Sequence, residues 1–301
     1  MMGANQDMDF EVFKKIVDEV AFFKPVIAIT STEPLIWKHI VKAINYAKQK
    51  ECPVQVTTNG LLLPKKIDSM IEAKLDSLWV SIDGIEKLHN EIRGHSKSFE
   101  NIKVGFLKAK DKIKTRGINH VISNYNYHKV VDFAKEIVNF HPTVVSFSHL
   151  NFITKEMADI HNKIYGKSIP ATPTCIDSVF PEKVDYKILY EQVQKAEEIL
   201  KKEGIQVEHS PKFQSLEDIK DYYNNPSKII AKKECRVPWE QAQFMANGDM
   251  IIMTRCFHIV MGNIKNSSFT DLWNGVKMKN FRKELKRAKM FPACTRCCGV
   301  L

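Results

Sequence analysis

Four cysteines in the last quarter of the chain carry its clearest chemistry: Cys235, Cys256, Cys294 and Cys297. With Cys298 they make five of the seven cysteines, and seven is an odd number. In a chain of 301 residues such a cluster reads as metal binding before it reads as disulfides. Cys294-Thr-Arg-Cys297 is a CxxC pair, a spacing that lets two thiolates converge on one centre. Cys235 and Cys256 flank a predicted hairpin and would close the site from the other side. Four thiolates suit structural zinc or an iron–sulfur cluster, and thiolate count does not separate the two. Cys298 is expected to be a bystander, and Cys52 and Cys175 to be buried or incidental thiols.

The elements that must position these residues follow from apolar pattern. Residues 24–30, 52–58, 77–83, 117–123 and 142–150 are short β-branched runs, as buried strands of a parallel sheet would be. Helical patterns separate them, at 33–50 (Ile36, Ile40, Ala43 and Ala47 on one face), 64–75, 98–114 and 127–140. This alternation predicts an α/β fold of βαβ units and leaves open sheet and barrel as alternatives. Past residue 150 the rhythm breaks, with a helix near 185–203 and one more strand in "IQVEHS". "QAQFMANGDMIIM" predicts a hairpin about Asn247-Gly248, and "SSFTDLWNGVKMKNFRKEL" a helix capped by Ser267, Ser268 or Thr270. The expected domains are 1–150, a connecting region 151–229, and 230–301.

Composition narrows the class. The chain is 44% hydrophobic and 27% charged, without an apolar run of about 18 residues, so no membrane span is expected. "MMGANQDMDFEVFKK" has no apolar signal region, which predicts a cytoplasmic protein. The net charge is +10, concentrated at Lys277, Lys279, Arg282, Lys283, Lys286, Arg287 and Lys289 around Phe281 and Leu285. That stretch reads as a solvated helix face; without a recognisable fold signature it argues weakly for nucleic acid.

The words around the cysteines resemble a known domain. "CRVPWEQAQFMANGDMIIMTRCFHIVMGNI", "SFTDLWNG" and "CTRCCG", within 235–298, resemble the SPASM domain, an auxiliary-cluster module of many radical S-adenosylmethionine (radical SAM) enzymes. The resemblance implies one four-iron four-sulfur cluster on Cys235, Cys256, Cys294 and Cys297 rather than zinc. The family commonly has a ligand cysteine where this chain has Met253, and a thioether is a poor substitute at iron.

Residues from about 8 to 150 resemble the radical SAM core, a partial barrel of six strand–helix units. "TSTEPLI" is similar to its Gly-Gly-Glu-Pro loop, with Ser31 and Thr32 in place of the glycines and Glu33 retained. Taken alone it is a helix start capped by Thr32. "TTNGLLL" supplies Asn59, and "LWVSIDGIEKLHNEIRG" supplies Ser81, Asp83 and Arg93 at a strand's C-terminal end, where active sites collect. The resemblance implies that Ser81 and Arg93 contact the S-adenosylmethionine carboxylate; the plain reading of Arg93 is an ion pair. His89 reads as a packing or capping residue, and Asn124, in "VISNYN", as a ligand contact or a helix cap.

The family's CxxxCxxC loop, which holds the catalytic cluster, is expected before "MDFEVFKKIVDEV", where this sequence reads "MMGANQD". The fold expectation is therefore a (β/α)6 barrel missing its first strand, followed by a cysteine-rich α+β domain. The functional expectation is a radical SAM/SPASM protein whose parent activity modifies a peptide or protein, inactive as this polypeptide alone. A flavodoxin or ferredoxin would be the electron donor. The alternatives are a non-catalytic iron–sulfur or peptide-binding relic, and a zinc-stabilised nucleic-acid-binding protein.

Overall fold

β-Branched, apolar runs become parallel strands in the computed structural model, which describes residues 6–30, 32–174, 184–230, 234–253 and 257–296. Two compact units result: Val20–Leu150 with Glu182–His209, and Met1–Glu19 with Asn151–Pro181 and Ser210–Leu301.

Helix α1 (Phe10–Val20) leads into β1 (Ile27–Ile29), α2 (Ile40–Gln49), β2 (Val54–Thr58), α3 (Leu63–Glu72), β3 (Ser77–Ser81), α4 (Glu86–Arg93), α5 (Ser98–Lys108), β4 (Thr115–Ile122), α6 (Val130–Ile137) and β5 (Val144–His149). Then come α7 (Lys155–Tyr165), α8 (Tyr186–Lys202) and β6 (Gln206–Ser210). The strands form one six-stranded sheet in sequential order, with parallel pairing from β1 to β5. On its helix-covered face lie Val54, Val56, Leu78, Val80, Ile118 and Ile122, all buried. Their odd-numbered neighbours Gln55, Thr57, Trp79, Ser81, Asn119 and Val121 are only half-buried, so the opposite face is largely polar. The expected α/β architecture is thus present, with six strands in the described sheet.

The segment 33–50 differs from its expected single helix. Residues Pro34–Ile36 form a 3-10 turn, Trp37 is extended at ψ 118°, and the α-helix starts at Ile40. Ile40, Ala43, Ile44 and Ala47 are buried as their spacing requires, while Ile36 is 64% exposed. Glu33, not Thr32, caps the turn by accepting the Leu35 N–H at 2.9 Å.

The other unit contains α9 (Leu216–Asn224), α10 (Val237–Glu240), β7 (Gln243–Phe244), β8 (Asp249–Met253), β9 (Phe257–Asn263), α11 (Phe269–Trp273) and α12 (Val276–Ala288). The strands form a three-stranded antiparallel sheet, and Gly248 at φ +92° makes the turn into β8. Ser268 caps α11, and Gly275 starts α12, so the single helix expected here is two. On α12 Met278, Phe281 and Leu285 are buried while Lys277, Lys279, Lys283, Lys286 and Arg287 are exposed, as a solvated basic face requires. α1 is tied to this unit by the Phe269 N–H donating to Glu19 Oε2 at 3.0 Å. Among the described residues no helix is long and apolar enough to cross a membrane.

Gly117 lies under the Trp79 indole across the β3–β4 register; an added Cβ would sit 2.3 Å from the ring. Gly117→Ala should destabilise the protein by about 1–3 kcal/mol in urea denaturation, because a packed ring and a strand backbone cannot both yield.

Candidate functional site

Parallel strands place their C-terminal ends along one edge of the sheet, and the residues singled out in the first unit gather there. Glu33 follows β1 and its carboxylate binds the exit of β2. Oε1 accepts the Thr58 hydroxyl at 2.6 Å, and Oε2 accepts the Asn59 N–H at 2.7 Å. Thr58 Oγ1 in turn accepts the Gly60 N–H at 2.9 Å, and Asn59 Oδ1 the Leu61 N–H at 2.9 Å. The two loops are therefore one hydrogen-bonded unit.

The exits of β3 and β4 are joined by Asp83, which is 5% exposed. Its Oδ1 accepts the Val121 N–H at 3.0 Å, and its Oδ2 pairs with the Arg93 guanidinium at 2.6 Å. Its own N–H donates to His89 Nδ1 at 3.1 Å, and its carbonyl accepts from Asn126 Nδ2 at 2.8 Å. Because His89 Nδ1 accepts, its proton is on Nε2, which donates to Ser98 Oγ at 2.9 Å. Burial lowers the His89 pKa to about 4, the Asp83 charge opposing the shift. His89 is thus a neutral structural link, as its packing reading implied. The fully buried His120 donates from Nδ1 to the Ile82 carbonyl at 2.9 Å and lies against Phe133, and its Nε2 has no partner. Burial lowers its pKa as well.

Of the sequence-selected residues, Asp83 and Arg93 meet each other, and Glu33 meets Asn59. Arg93 forms an ion pair, as its plain reading has it, and its partner is Asp83. Ser81 ends β3 on the polar face, paired through the strand ladder with Asn119, and its hydroxyl bonds no other described residue. Thr32 is exposed, and Ser31 lies outside the described residues. Asn124 caps no helix, and its Oδ1 is buried without a partner. The organising residue of that loop is Asn126, two positions on. Its amide donates to the Asp83 and Val121 carbonyls and accepts the Ser123 N–H at 2.7 Å. The "SNYN" sequence offered both asparagines, and only burial (Asn126 is 1% exposed) separates them.

In the other unit Cys235 is half-buried and precedes α10; its N–H donates to the Lys289 carbonyl at 3.3 Å. Burial raises its thiol pKa, and a hydrogen bond from the Val237 backbone opposes that by favouring the thiolate. Arg282 of α12 holds the same turn. It donates to the Pro238 carbonyl at 2.8 Å and the Trp273 carbonyl at 2.7 Å, with its guanidinium 4.2 Å from the Trp273 ring centroid. Cys294 is buried at the end of a 3-10 turn, Pro292–Cys294, that packs on α7. Neither cysteine is in a disulfide. Arg296 is buried too, which draws its pKa down to about 10, so it remains charged at neutral pH. Cys256 and Cys297, the other two expected ligands, lie outside the described residues, as do Cys175 and Cys298. Among the described residues no three His, Cys, Asp or Glu side chains form a metal-holding group.

Residues 1–137 match the model of the radical SAM superfamily, and residues 235–298 match that of SPASM, an iron–sulfur cluster-binding domain. The chain thus carries a radical SAM domain over residues 1–137 and a SPASM domain over residues 235–298. The superfamily match begins at residue 1, and neither it nor the fold bears out the expected inactivity. A curated relative is the Fe-coproporphyrin III synthase of Methanosarcina barkeri, 25% identical over 126 residues, or 41% of this chain and 32% of that protein. The chain therefore spans about a third of that relative's length. Among solved structures, native anSMEcpe with bound AdoMet has a TM-score of 0.63 at 16% identity, covering 96% of this chain and 79% of that one. Streptococcus suis SuiB bound to precursor peptide SuiA has 0.60 at 16%, covering 97% and 64%. At these identities the likeness to the solved structures is one of fold.

The region matched by the radical SAM model has spare hydrogen-bonding capacity at the C-terminal ends of its strands. The orphaned Asn124 Oδ1 and the uncommitted Ser81 hydroxyl fit a ligand bearing amino and hydroxyl groups. Cys235 and Cys294 fit thiolate ligation in donor type, burial and absence of disulfide.

The folded pKa of His89 lies below the unfolded value of 6.5, so the unfolded chain binds the extra proton between the two. Stability should fall as pH drops from about 6.5 to about 4, by about 3 kcal/mol from this group at the lower end. His89→Asn, which keeps an acceptor near the Asp83 N–H, should flatten the dependence of the urea midpoint on pH over that window.

Proposed function

We propose that this chain is an S-adenosylmethionine-dependent radical enzyme acting on a peptide or protein, with an auxiliary four-iron four-sulfur cluster in its SPASM domain. The observation that carries the reading is one chain holding both features: a strand edge with unspent polar groups, and a cysteine-bearing segment, with Cys294 buried, matched by an iron–sulfur domain model. When bound, S-adenosylmethionine with a reduced iron–sulfur centre supplies hydrogen-atom abstraction chemistry.

The chain's own residues bind and orient. Arg93, aimed by the buried Asp83, gives charge-assisted hydrogen bonds to the ligand carboxylate, and Ser81 adds a hydroxyl to the same group. Glu33 attracts the ligand's ammonium group from a carboxylate held by Leu35, Thr58 and Asn59. Asn124 accepts from a ligand N–H or O–H, and Asp83 acts through Arg93. Cys235, Cys256, Cys294 and Cys297 hold the auxiliary cluster. A flavodoxin or ferredoxin is the electron source, and the reducing cytoplasm keeps the thiols available. SuiB bound to its precursor peptide, a neighbour of the same fold, supports the peptide substrate. The Fe-coproporphyrin III synthase relative favours a second reading, a tetrapyrrole substrate.

Anaerobic reconstitution should yield iron and acid-labile sulfide in equal amounts, and Cys294→Ser should lose them. Zinc without sulfide would overturn the cluster assignment. S-adenosylmethionine binding, followed by equilibrium dialysis, should weaken about 30-fold in Arg93→Ala, the loss of roughly 2 kcal/mol of charge-assisted hydrogen bonding. Wild-type affinity in that variant would remove Arg93 from the site. Incubation with a peptide pool or with iron coproporphyrin III separates the two substrate readings by which one is consumed.

A further inference from the structure

We infer that Arg296 is a positioning residue for the auxiliary cluster: its guanidinium fastens the Cys294–Arg296 turn to the C-terminal end of α9 and so sets where the Cys294 thiolate meets iron. The inference rests on the reading that the SPASM domain holds a cluster.

Arg296 lies inside the CxxC sequence, where a solvent-facing spacer would serve the spacing alone, yet it is 1% exposed. A guanidinium has five N–H donors. Here Nε donates to the Tyr222 carbonyl. One terminal nitrogen donates to the Lys228 and Thr295 carbonyls, each at 2.8 Å. The other donates to the Asp221 carbonyl at 2.9 Å and the Asn225 carbonyl at 2.7 Å. All five donors are therefore spent on backbone oxygens, four of them within 221–228. The Tyr222 ring adds a cation–π contact, its centroid 4.7 Å from the guanidinium carbon.

The chemistry of the receiving end explains the choice of residue. α9 stops at Asn224, and the last carbonyls of a helix lack intrahelical donors and carry the negative end of its dipole. A buried cation with five donors suits this negative end, where the Asp221 carbonyl also accepts the Asn225 N–H and the Asn225 carbonyl the Lys228 N–H; Lys has only three donors and no planar fork. Thr295 closes the same clamp through its hydroxyl, which donates to the Pro226 carbonyl at 2.5 Å. The Asp221 carboxylate is engaged by Asn225 and Lys228, so the guanidinium is held by backbone oxygens rather than in an ion pair. Three consecutive residues beginning at Cys294 are thereby held against a helix end. That is the arrangement expected of an outer shell that orients a metal ligand.

The test is reconstitution of full-length wild type, Arg296→Gln and Arg296→Lys with iron and sulfide. Iron release to a ferrous chelator, the EPR spectrum of the reduced protein and far-UV circular dichroism are then compared. Arg296→Gln should keep wild-type circular dichroism yet release iron roughly 10–100-fold faster, with an altered EPR spectrum for the cluster that remains. Arg296→Lys should fall between the two, and it also decides the matter if the Gln variant does not fold. Release at the wild-type rate in the folded variants overturns the inference. So does faster release matched by lost helicity with an unchanged spectrum, which marks a merely structural role. A wild-type protein that takes up no iron overturns the cluster reading and this inference with it; wild-type uptake with unaffected variants overturns the inference alone.

Discussion

A buried carboxylate organises the sheet edge. Asp83 is removed from water, and an isolated charge there would be costly enough to protonate or to disfavour the fold. It is retained because both oxygens are matched, one to the Val121 N–H and one to Arg93. That requirement fixes more than a single contact. It sets β3 against β4 beyond their last paired residues, and it draws the end of α4 back over the strand exits. It also leaves the Asp83 main chain free to engage His89 and Asn126. With one partner removed the other would be a poorly compensated charge, so the cluster behaves as a unit.

The thiol-bearing unit solves the matching problem with the opposite sign. Two of its arginines, the half-buried Arg282 and the buried Arg296, are met by neutral carbonyls. Arg282 joins Pro238, three residues after Cys235, to Trp273, and Arg296 joins the Cys294 turn to the end of α9. Carbonyl oxygens at helix ends and turns gain charged donors, and the backbone that follows Cys235 and Cys294 is pinned. A site meant for several thiolates benefits from cations nearby, since converging negative charges repel before a metal neutralises them.

Legibility in the sequence followed the range of the physics involved. The strand runs, the Asn247-Gly248 turn and the amphipathic pattern of α12 depend on neighbours within a few residues, and each is found where it was read. The helix expected from residue 33 failed locally. Glu33 is taken up by Thr58 and Asn59, far along the chain, and the backbone after it tightens into a 3-10 turn before Ile40. Arg93 illustrates both outcomes: its importance was readable from residue type and spacing, its partner was not. Asn126 and Arg296 were passed over because each looks like an ordinary polar residue in a loop, and only burial gives their hydrogen bonds weight.

The sequence by itself determined the alternation of strand and helix, the cysteine set and the words that mark the radical SAM core and the SPASM domain. These are properties of composition and order. The tertiary structure decided which polar groups are spent and which remain. Asp83, Glu33, Asn126 and Arg296 have their hydrogen bonds filled by groups distant in sequence, while the Asn124 Oδ1 acceptor and the Ser81 hydroxyl are left over. The physical reason is that a polar side chain has no assigned role until folding removes water and limits it to the partners then within about three ångströms.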